Sequence, residues 1–143
     1  GVGMKPDWRV GYHYTPEENW RRIREEGLHP VPLKEAYTRL GVLTGVWVWV
    51  NRLRGLSHAG TLMFQAGDKA TTRIALLEVW YYPDEIAQIP DGGFPRSTHE
   101  GKVGNLVYHR GERSVILANR VPCERIRLIE TYDLVTMLAK GQR

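Results

Sequence analysis

A chain of 143 residues, 42% hydrophobic and 25% charged, has the make-up of one globular domain, long enough to bury roughly two-thirds of its extended surface. No stretch approaches about 18 uncharged apolar residues, so neither a membrane-spanning helix nor a signal-peptide core is expected. The single cysteine, Cys123, excludes an internal disulfide, and with no second thiolate beside a histidine no metal site is expected. A net charge of +4 permits a polyanionic partner without demanding one, because the basic and acidic residues are dispersed.

These features point to one domain over 1–143 in a reducing cytoplasm. Gly1-Val2-Gly3 before Met4 reads as a tag remnant, and residues 1–7 as a flexible arm. Residues 8–15 (WRVGYHYT) are rich in aromatic and β-branched types and read as a strand. Thr15 can cap a helix, Pro16 suits its first position, and Glu18 completes a T-x-x-E capping box. Trp20, Ile23 and the stem of Arg24 then share a face. Gly27 stops the helix after about ten residues, with Leu28 as the apolar contact of the cap.

Pro30 and Pro32 keep the chain extended, and a helical turn is only weakly signalled over 34–40. Residues 42–50 (VLTGVWVWV) form an almost unbroken apolar run, the pattern of a strand covered on both faces. Residues 55–67 carry Leu56, Ala59, Leu62 and Met63 at helical spacing, and 71–82 reads as a strand stopped by Pro83. The stretch 88–104 lacks periodicity and is rich in Gly and Pro, the pattern of a long loop. Strands near 105–109 and 113–119, a Val121-Pro122 break, a strand over 125–132 and a short helical tail from Leu134 complete an α+β arrangement.

Two places can carry chemistry. His13 and Thr15 point to one face of the first strand, offering hydrogen bonds to a sugar hydroxyl or an amide; a core histidine bonded to backbone is the plainer alternative. Glu112 precedes the apolar run Val115-Ile116-Leu117, as either a solvated first residue or a positioned carboxylate. Glu100, in the long loop with His99, Arg96, Lys102, His109 and Arg110 around it, competes for the same role. Arg21, Arg22 and Arg24 read as a solvated face, and Cys123 as a small buried filler. His29 and His58 have no partner visible in the sequence.

Three segments together resemble the ADP-ribosyltransferase-like domains. His13-Tyr14-Thr15 followed by a helix ending in Gly27-Leu28 resembles their opening strand and helix. Gly45-Val46-Trp47-Val48-Trp49 resembles their second strand, with Trp where Tyr is usual. Glu112 with Val115-Ile116-Leu117 and Val121-Pro122-Cys123-Glu124-Arg125-Ile126 resembles their closing element, with Cys123 in place of a second Pro.

The resemblance implies a split, curved antiparallel or mixed sheet, with helices mainly in the N-terminal half, gripping NAD as substrate. His13, Tyr14, Thr15 and Trp47 or Trp49 would bind the dinucleotide. Glu112, aided by His13, would steady the positive charge that grows on the ribose as nicotinamide leaves. ADP-ribose would pass to a nucleic acid or a protein, an activity common in toxins and host–virus conflict. The alternatives are an RNA 2′-phosphotransferase-like enzyme and a non-catalytic binding module.

Overall fold

The computed structural model describes residues 7–33, 38, 41–52, 73–87, 100–103, 106–109 and 114–133. Strand β1 spans Arg9–Pro16 and, after a 3₁₀ turn over Glu17–Asn19, helix α1 spans Trp20–Glu26. There follow β2 (Val31–Pro32), β3 (Thr44–Trp49), β4 (Arg73–Tyr81), β5 (Glu100–Val103), β6 (Leu106–His109), β7 (Ser114–Leu117) and β8 (Ile126–Asp133). One sheet joins them in the order β5-β6-β7-β3-β1-β4-β8, with β2 pairing on β3. Every described pairing is antiparallel, so the sheet is not mixed among the described residues. The class is α+β, dominated by the sheet. No helix among the described residues is long and apolar enough to cross a membrane.

The sheet has two faces of different character, set by the two-residue period of a strand. On one face Val46, Val48, Ala75, Leu77, Val79, Tyr81, Val115 and Leu117 pack with Ile23 of α1, Leu28 and half-buried Trp20. We call this the helix face. On the other, Tyr14, Trp49, Ile74 and Leu76 pack with half-buried Tyr12, Trp47 and Tyr132, forming the aromatic face. The all-apolar runs of β3 and β4 follow from this, since both of their sides are covered.

The helix begins later than the capping box suggests. β1 continues through Pro16, and the N-cap is Asn19 with no side-chain cap. Thr15 is instead buried on β1, where its hydroxyl accepts a bond from the Asn19 side-chain amide at 3.0 Å. Pairing of β1 with β4 along the whole of Arg9–Pro16 outweighs a single local cap. The stop at Gly27 is as expected: its φ of 82° with ψ of −171° is a glycine conformation. A Cβ there would strike the Val121 carbonyl oxygen. Leu28 then bridges to Val121, tying the helix exit to the chain just before β8.

Other expectations need correction. Residues 100–103 form a strand rather than part of a loop, because they pair with β6. Cys123 is half-exposed in a 3₁₀ turn, not a buried filler. Arg24 is exposed and adds no stem to the core, while Arg21 and Arg22 are the solvated side chains expected. His29 has a partner after all, lying 3.9 Å from Glu26. The expected turn at 34–40 (Thr38 apart), the helices over 55–67 and from Leu134, residues 88–99, His58 and the first six residues of the arm lie outside the described residues.

Candidate functional site

The strands that carry the three motif segments are neighbours in the sheet, in the order β7-β3-β1. β1 is bound along its full length to β4, yet it shares only one register pair with β3, Tyr12↔Trp49. Beyond that pair, at the place where a ladder bond would otherwise continue, the His13 Nδ1 lies 2.8 Å from the Trp47 carbonyl oxygen. A side chain thus replaces main-chain pairing at the seam between β1 and β3.

That contact fixes the chemistry of the ring. A carbonyl only accepts, so Nδ1 carries the proton and donates it. Burial lowers the His13 pKa from its ordinary value, opposed by the bond to Trp47, and the ring is held neutral. Nε2 is then a hydrogen-bond acceptor. The plainer reading of His13, a histidine bonded to backbone, and the binding reading therefore coexist in one ring with two nitrogens.

The lowered pKa has a consequence for stability. The unfolded chain takes up its His13 proton near the ordinary value, about 6.5, whereas the folded chain resists it. This contribution is fully present above about pH 6.5 and is lost as pH falls below it, by at most about 1.4 kcal/mol per pH unit. Urea unfolding between about pH 7.5 and 5.5 is expected to show this decline. In His13→Gln, which keeps a donor for the Trp47 carbonyl, the decline is expected to be shallower.

The remaining expected residues divide by face. Gly11, two residues before His13, faces Val48 and Tyr81, so alternation puts the His13 and Thr15 side chains on the helix face. Tyr12, Tyr14, Trp47 and Trp49 belong to the aromatic face. His13 and Trp47 therefore meet through the Trp47 main chain, with imidazole and indole on opposite faces. Tyr14 is buried and donates its hydroxyl to the Arg52 carbonyl. Trp49 is 4% exposed, whereas Trp47 is half-buried, its ring 6.0 Å from that of Trp49.

Glu112 lies outside the described residues. The first residue of β7 is Ser114, opposite Trp49 and fully buried, its hydroxyl without a hydrogen-bond partner among the described residues. Register carries the same row outward to His109 on β6 and Glu100 on β5. In the other direction it passes through Tyr12 to Glu78 on β4 and Arg127 on β8.

Glu78 is a residue that the sequence reading passed over. It is the only charge inside the run Ile74–Tyr81 and sits on a strand flanked by two others, so its carboxylate must be held by specific partners. Its Oε1 accepts from the Trp80 indole at 2.8 Å and its Oε2 from Arg127 at 3.1 Å. Burial pushes its pKa up, but the bonds from Arg127 and Trp80 and the Arg127 charge outweigh this, leaving it below the ordinary value and ionised. A lone carboxylate within an otherwise apolar strand was the available signal. Arg52 is a second omission: its guanidinium reaches Glu130 at 3.0 Å and the Tyr132 hydroxyl at 2.7 Å on the aromatic face. Among the described residues no group of His, Cys, Asp and Glu is arranged to hold a metal ion.

Comparison with known proteins returns no matching family, no similar curated protein and no similar solved structure.

Proposed function

We propose that this chain is an NAD-dependent ADP-ribosyltransferase, releasing nicotinamide and passing ADP-ribose to a macromolecular acceptor. The observation that carries the reading is the seam. Segments far apart in the chain, and resembling one family in order, lie on the adjacent strands β7, β3 and β1. The sheet loses its ladder between β1 and β3 at the expected His and the expected Trp.

In this reading His13, whose ring lies on the helix face, keeps Nδ1 anchored on the Trp47 carbonyl and so positions β3 beneath the ligand rather than touching it. Trp47, less buried than Trp49, offers the indole against which nicotinamide stacks. Glu112 is the carboxylate next to the ribose. As the bond from nicotinamide nitrogen to the ribose carbon breaks, its electron pair leaves with neutral nicotinamide, and positive charge grows on the sugar. A fixed anion in a site shielded from water stabilises that charge more than it stabilises bound NAD, which is what lowers the barrier. The acceptor oxygen or nitrogen then bonds to the same carbon and loses its proton.

The test is incubation with nicotinamide-labelled NAD, alone and with RNA, DNA or cell lysate. Release of free nicotinamide, with adenine-labelled product appearing on one acceptor class, is expected. NAD binding without release would point to the binding-only alternative, and no binding at all would remove the reading.

A further inference from the structure

We propose that β8 is the contact strand of a symmetric dimer, pairing antiparallel with β8 of a second copy of this chain. The inference does not draw on the dinucleotide reading. Among the described residues β8 ends the sheet, laddered to β4 alone, and no other main-chain bond reaches residues 127–132. Such an edge offers a row of free N–H and C=O groups to another strand.

Exposed edges are commonly guarded by proline, by charges standing at the strand, or by a bulge. β8 reads IRLIETYD, with neither proline nor lysine. Its charges are drawn back over its own sheet. Arg127 bonds Glu78 at 3.1 Å, and Glu130 accepts from Arg52 at 3.0 Å. The main chain of the edge is left open.

A bulge is present, and its position favours self-pairing. Register passes from Leu77↔Leu128 to Leu76↔Glu130, leaving Ile129 as the extra residue in mid-strand. Leu128 and Thr131 stand on the helix face, opposite Leu77 and Ala75. Arg127, Ile129, Glu130 and Tyr132 stand on the aromatic face, with Glu78, Leu76 and Ile74. Two same-face residues at the centre make the pattern of 127–132 read alike in both directions. A twofold axis perpendicular to the sheet, between Ile129 and Glu130, then opposes residues of one face throughout. Arg127 meets Tyr132 of the other copy, Leu128 meets Thr131, and Ile129 meets Glu130. Strict alternation would oppose residues of different faces in that register. The two Glu130 carboxylates approach the axis, each beside its own Arg52 guanidinium. One strand per copy is a contact at the small end of specific interfaces, so association is expected in the micromolar range.

In sedimentation equilibrium the average mass of the wild-type chain is expected to rise toward twice the monomer value with concentration. Ile129→Pro alters the one residue between 126 and 133 that is outside the β4 register, and is expected to return a monomer. Cysteines near and far from the axis test the register without relying on that variant. In a Cys123→Ser background, Glu130→Cys brings two Cα atoms to about 6 Å, within disulfide range; Arg127→Cys leaves them more than about 15 Å apart. Glu130→Cys is expected to cross-link at least about tenfold more than Arg127→Cys, although Arg127 is the more exposed, 70% against 51%.

Wild-type protein that stays monomeric at high concentration overturns the proposal. Equal cross-linking of the two cysteine variants also overturns it, since chance collision or another surface explains that result. A dimer that persists in folded Ile129→Pro does the same. Absence of NAD cleavage leaves this inference untouched.

Discussion

Glu112→Gln is expected to lower nicotinamide release from NAD about 100- to 1,000-fold, the typical loss when one preorganised electrostatic group is removed. The substitution preserves size and one acceptor oxygen while deleting the negative charge and turning the second acceptor into a donor. Its effect should therefore fall on kcat, because the charge matters chiefly once the ribose becomes cationic. NAD affinity, read by tryptophan quenching, is expected to change little. The matching control is Glu100→Gln. Register places Glu100 in one row with His109, Ser114 and Trp49, so it is a reasonable rival on geometric grounds. A large loss in that variant with none in Glu112→Gln would transfer the role to Glu100. Full activity in both would end the carboxylate mechanism.

The second large effect is on stability. Trp49→Ala is expected to cost about 3–5 kcal/mol, seen as a lower urea midpoint with little change in slope. Trp49 is 4% exposed and packs with Tyr14, Ile74 and Leu76, beside half-buried Tyr12 and Trp47. Removing its indole leaves a cavity that three paired strands cannot close. Trp47→Ala is the informative contrast: on the reading above it reduces NAD quenching and turnover while disturbing the fold less. If Trp49→Ala retained full stability yet lost NAD binding, the stacking role would belong to Trp49.

Much of the fold could be read from the chain. The alternating and apolar runs located β1, β3, β4, β7 and β8 to within a few residues, since period-two patterning reports directly which strands are covered and on which sides. Gly27 announced the end of α1, because only glycine fits its backbone conformation. The start of α1 was misplaced, since Thr15, Pro16 and Glu18 supply a local signal that β1–β4 pairing overrides. Glu100–Val103 carries no local strand signal at all and becomes β5 only by pairing with β6.

The site shows the same division. The sequence by itself determined which chemical groups are available: an imidazole between two tyrosines, paired indoles two residues apart, and a carboxylate at 78 inside an apolar strand. Local rules suffice for this, because strand periodicity and residue type act over a few neighbouring positions. Only the tertiary structure decided that β7, β3 and β1 lie side by side, that His13 bonds the Trp47 carbonyl, and that its ring stands on the face opposite the indoles. Strand order and register come from contacts between segments far apart in the chain, whose energies no short window of residues contains.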